Sequence, residues 1–67
     1  MFQTYYFEVI DENSELSGER FFVEVDEEDD PRATAWDIAV ENFPDVALIC
    51  YGRVSEVFAE SMGYDTY

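Results

Sequence analysis

Sixty-seven residues make one small domain, and 17 acids against three arginines, with no lysine or histidine, set its net charge at −14. That sign opposes direct contact with nucleic acid or an anionic membrane. The 48% apolar content, with six Phe, five Tyr and one Trp, excludes a disordered acidic tail. No basic region followed by an apolar core opens the chain, and no apolar run approaches the ~20 residues of a membrane span, so a cytoplasmic domain is expected.

Thr4 to Ile10 reads as a strand, with Tyr5, Phe7 and Val9 on one face and Tyr6, Glu8 and Ile10 on the other. Asp11 to Gly18 is turn-like, with Leu16 its one apolar residue. Glu19 to Asp26 is a second strand, alternating Phe21, Val23 and Val25 with Phe22, Glu24 and Asp26. Paired as a hairpin, the two strands share a core face of Phe7, Val9, Phe21, Val23 and Val25. The other face carries Tyr6 and Phe22 among carboxylates. That face is either an interface, where aromatics are enriched, or the seat of a second helix.

A run of charge follows, Glu24-Val25-Asp26-Glu27-Glu28-Asp29-Asp30, with no basic residue between Arg20 and Arg32. Asp29 or Asp30 suits a helix cap and Pro31 the first helical position. Carboxylates there gain roughly 0.3–1 kcal/mol each from the helix dipole, but only within one turn, so the dipole does not account for all six. Pro31 to Phe43 forms a helix with a wide apolar stripe of Ala35, Trp36, Ile38, Ala39, Val40 and Phe43, stopped by Pro44. Trp36 is expected to anchor the core.

Val46 to Val54 reads as a third strand with apolar residues on both faces, as in a central or well-covered strand, and Gly52 marks a bulge or its end. Ser55 then caps a short helix, Glu56 to Met62, which Gly63 stops. Tyr64 to Tyr67 can lie on the body through its tyrosines. The order β-β-α-β-α implies an α+β sandwich of two layers: a three-stranded antiparallel-type sheet, order 2-1-3, packed by one main helix. Strand 2 is then an edge whose outward residues are acidic.

Little here supports catalysis, so no enzyme is expected. The commonest general base is missing and the serines have no His or Lys to activate them. Cys50 is alone, has no basic neighbour and reads as a small buried hydrophobe. Asp26 to Asp30 lack the alternating acids, Gly and Glu of a Ca²⁺ loop, so neither a metal site nor a cofactor is expected.

The charge is lopsided instead. Residues 1–30 hold 11 of the 17 acids. Alternate strand residues stand ~6.6 Å apart, and DNA carries a phosphate every ~3.4 Å per strand. Glu8, Asp11, Glu12, Glu15, Glu19, Glu24, Asp26, Glu27, Glu28 and Asp29 can therefore form an array of negative charge for a basic groove, with Tyr6 and Phe22 as desolvated anchors.

In size, in the acidic hairpin YYFEVIDENSELSGERFFVEVDEEDD and in the ATAWDIAVENFP helix after it, the chain resembles the small acidic proteins with which phages and mobile elements inhibit host defence, anti-CRISPR proteins and other DNA mimics among them. The resemblance implies a basic nucleic-acid-binding protein as partner, such as a CRISPR effector. It carries no functional residue over by position. The alternative is a small homodimerising module that uses the aromatic face, its acidity serving solubility.

Overall fold

The computed structural model describes residues 2–26 and 29–67. Glu27 and Glu28, the middle of the acidic run, lie outside the described residues. The elements are β1 (Phe2–Val9), β2 (Arg20–Asp26), α1 (Pro31–Asn42), β3 (Leu48–Val54) and α2 (Glu56–Met62). The sheet order is β2-β1-β3, and β1 is antiparallel to both neighbours. This is the expected α+β topology.

One face of the sheet packs on α1. Tyr5, Phe7 and Val9 from β1 and Phe21, Val23 and Val25 from β2 bury against Ala35 and Ala39. The register explains the match, because Tyr5 stands opposite Val23 and Phe7 opposite Phe21. Aromatic rings fill this layer. Phe7 stacks on Phe21 at 5.4 Å and meets Trp36 edge-on at 5.0 Å, while Phe21 stacks on Phe43 at 4.3 Å. Trp36 thus anchors the core as its position suggests. Val40 does not belong to the stripe. It stands ~140° round the helix from Ala35 at ~100° per residue, and it is exposed.

The caps are those written in the sequence. Asp30, not Asp29, caps α1, its Oδ1 accepting from the Ala33 amide at 3.2 Å, and Pro31 follows at the first helical position. Ser55 caps α2 by accepting from the Phe58 amide at 3.1 Å, and Gly63 ends that helix with a left-handed φ of 70°. Glycine adopts that conformation without the steric cost other residues bear.

The other face is covered too where β2 adjoins β1, so the domain has three layers there rather than the two expected. Phe58 of α2 and Tyr64 beyond it meet Tyr6 and Phe22. Residues 65–67 then run beside β2 in parallel, pairing Thr66 with Phe22. The Phe22 amide donates to Asp65 O at 2.9 Å, the Tyr67 amide to Phe22 O at 2.8 Å, and the Glu24 amide to Tyr67 O at 3.1 Å. The outer edge of β2 is therefore occupied over Phe22 to Glu24. Alternation along this segment sends Tyr64 to one face and Tyr67 to the other, where Tyr67 meets Phe21 and Phe43 edge-on.

β3 is an edge strand and not a well-covered one. Leu48 and Cys50 turn towards the core, and Ile49 and Tyr51 are exposed. Tyr6 pairs with Gly52 and Phe7 with Cys50, so Tyr51 is the extra residue of a bulge. Gly52 takes a φ of 108° there, as only glycine does readily.

Candidate interaction surface

The aromatic residues expected as contact anchors are used inside the fold. Phe22 is 0% exposed, so it is not available to a partner in the native state. Its ring lies 5.3 Å from Tyr6, 5.7 Å from Tyr64 and 6.3 Å from Phe58. Tyr6 is half-buried at the hub of this second cluster and also meets Tyr51 at 5.0 Å. The physical reason is simple: two rings side by side on one sheet face cost free energy in water, and α2 with residues 64–67 supplies the apolar cover.

Two of the expected contact acids hold the structure together. Glu8 is half-buried; it accepts from the Tyr51 hydroxyl and lies 3.8 Å from Arg20 Nε. The hydrogen bond to Glu8, then burial and the charge of Glu8, raise the Tyr51 phenol above its usual range. Arg20 is raised as well, first by its hydrogen bond to Tyr64 and then by the charges of Tyr6 and Glu8. Because Tyr51 ionises later folded than unfolded, its contribution is complete below the unfolded pKa of ~10 and is lost as pH rises through the folded value. Chemical denaturation from pH 8 to 12 should therefore find the native chain losing more stability above pH 10 than Tyr51→Phe does. Equal losses would mean the hydroxyl contributes nothing.

Asp11 ties the β1–β2 loop to the segment leading into β3. Its Oδ1 accepts from the Asn13 amide at 3.0 Å and its Oδ2 from the Ala47 amide at 3.3 Å. Both amides can reach water once the carboxylate is gone, which puts the loss at the low end for such bonds. Asp11→Ala should cost about 1 kcal/mol and lower Tm by ~4–8 °C. A thermal melt by circular dichroism checks this.

The remaining expected acids fall into two groups at opposite ends of the sheet. Glu12 and Glu15 are exposed on the hairpin loop, with Glu19 beside them in sequence. Glu24, Asp26 and Asp29 are exposed towards the α1 end. The six steps of β2 between Arg20 and Asp26 span ~20 Å, and the covered aromatic cluster lies between. The continuous array expected from the sequence is therefore divided.

The α1 end gains two acids not included in that array. Thr4, Glu24, Glu56, Glu60 and Tyr64 line one shallow groove between the sheet and α2. It continues past Glu24 and Glu56 to Phe2, Gln3 and Arg53. Glu56 and Glu60 are four apart on α2, a spacing that puts them on one ridge. Strand order 2-1-3 brings the start of that helix beside Thr4, opposite which Glu24 sits. Among the described residues, no three Cys, Asp or Glu side chains converge as they would on a metal ion.

What the fold and groove define is a small three-layer α+β domain with carboxylates from a strand and a helix lining one cleft. No family model, curated protein or solved structure matches the chain. No helix among the described residues is long and apolar enough to cross a membrane.

Proposed function

We propose that this chain is an acidic inhibitor that occupies the basic nucleic-acid-binding groove of a host defence protein such as a CRISPR effector, acting as a nucleic-acid mimic. The observation that carries this reading is the groove in which Glu24, Glu56 and Glu60, from two different elements, stand around one cleft, with Asp26 and Asp29 at the same end of the sheet. Among the described residues lining that groove and its continuation, the one cation is Arg53. Like charge gathered on a folded surface opposes folding, and a complementary partner removes that cost on binding. Fixed carboxylates would steer the domain quickly to a basic groove and hold its register there.

The alternative, a dimer formed through the outer aromatic face, has less support, because Phe22 is fully buried beneath α2 and residues 64–67.

Capture from bacterial lysate on the immobilised chain tests the proposal, run at low and high salt with the bound proteins identified by mass. The expected catch is a basic nucleic-acid-binding protein whose retention falls with salt and is competed by DNA or RNA. A captured protein that still binds its nucleic acid while held on the chain would overturn it, and so would an empty capture at low salt.

A further inference from the structure

We propose that the free edge of β3 is a self-association surface, on which two copies of this chain pair antiparallel and join their sheets. The two edges of the sheet are treated differently. Residues 65–67 occupy the outer edge of β2. Among the described residues, nothing pairs with the far side of β3. An uncovered edge offers a row of amides and carbonyls to any strand that can approach, and charge, proline or cover usually blocks it. β3 has no cover and no proline, and its one charge is Arg53. Its bulge interrupts the ladder at Tyr51 and Gly52, leaving Leu48, Ile49 and Cys50 regular.

Charge decides which occupant fits. Residues 46–55 carry no acid, the longest such run in a chain with 17. A basic partner is drawn to carboxylates, and this strip has none. A second copy carries −14 and is repelled by every acidic part of the first, so this strip is where two copies can approach without setting carboxylate against carboxylate. Ile10, Ile49 and Tyr51, exposed on the same side of the sheet, give the contact an apolar margin. An antiparallel pairing is two-fold and closed, so it yields a dimer and not a fibre.

So short an edge buries less than the ~800 Å² per partner of a standard interface, which puts the association in the range of ~10 μM to ~1 mM. Salt should strengthen it by screening the repulsion between copies. That is the opposite of its effect on an acidic chain held in a basic groove, so the two readings fail separately.

Sedimentation equilibrium over that concentration range, at low and high salt, is the test. The native chain should dimerise, more tightly at high salt. Ile49→Glu should remain monomeric, and Val57→Glu, which adds the same charge at a 76% exposed site on α2, should dimerise as before. Amide exchange of the native chain is read alongside, and the outward amides of β3 should slow only at dimer concentrations. A native chain that stays monomeric at ~1 mM in high salt would overturn the proposal. So would a dimer that survives Ile49→Glu, or one whose β3 amides exchange as fast as in the monomer, since either would place the contact elsewhere.

Discussion

Replacing Phe22 with alanine is expected to unfold the chain rather than release a partner. The side chain is fully buried among Tyr6, Phe58 and Tyr64, and the backbone on which it stands is paired with residues 65–67. Truncating a buried Phe costs about 3–5 kcal/mol, from the lost transfer free energy and the cavity left behind. A chain of 67 residues has a total stability of roughly 3–10 kcal/mol at ~0.05–0.15 kcal/mol per residue. The substitution therefore removes between a third and all of it. Far-ultraviolet circular dichroism at 25 °C should show a largely unfolded chain, or one whose Tm has fallen by more than ~12 °C. Phe22→Leu, which keeps most of the volume, should stay folded. A stable Phe22→Ala variant would mean that α2 and residues 64–67 do not cover this face in solution.

The second large effect concerns binding. Reversing Glu24, Glu56 and Glu60 to lysine is expected to weaken capture of the basic partner by more than 100-fold while leaving the fold intact. All three side chains are exposed, so none supports the core. Each exposed carboxylate gives up to about 1 kcal/mol of attraction to a complementary surface, and reversal replaces attraction with repulsion of similar size. Three such changes reach as much as ~6 kcal/mol, and half of that is already more than two decades in affinity. Reversing Glu12, Glu15 and Glu19 at the other end of the sheet makes the same change in net charge. A groove-specific contact loses far more from the first set than from the second. Equal losses from both sets would mean that overall charge, and not the groove, does the binding.

The hairpin was legible because its two faces differ. Tyr5, Phe7 and Val9 alternate against Phe21, Val23 and Val25, and each sits in the core as the period of two requires. The helix ends were legible because Asp30-Pro31 and Ser55 with Gly63 act within a few residues of themselves. The outer face was not. Tyr6 and Phe22 beside Glu8 and Glu24 fit an open interface and a covered face equally well. What decides between them is the pairing of Thr66 with Phe22, which no local pattern announces. The same distance hid Asp11, whose carboxylate reaches the Ala47 amide 36 residues away. Glu56 and Glu60 could have been found, since they share a ridge on a helix that strand order sets beside Glu24. Their part became visible only once that order was joined to the register of β1.

Tyr64 and Tyr67 lie three residues apart and on opposite faces of the sheet, one against Tyr6 and Phe22, the other against Phe21 and Phe43. The two apolar layers therefore share one fastening. Detaching it strips cover from both at once. Four residues in this way tie the packing on one face of the sheet to the packing on the other.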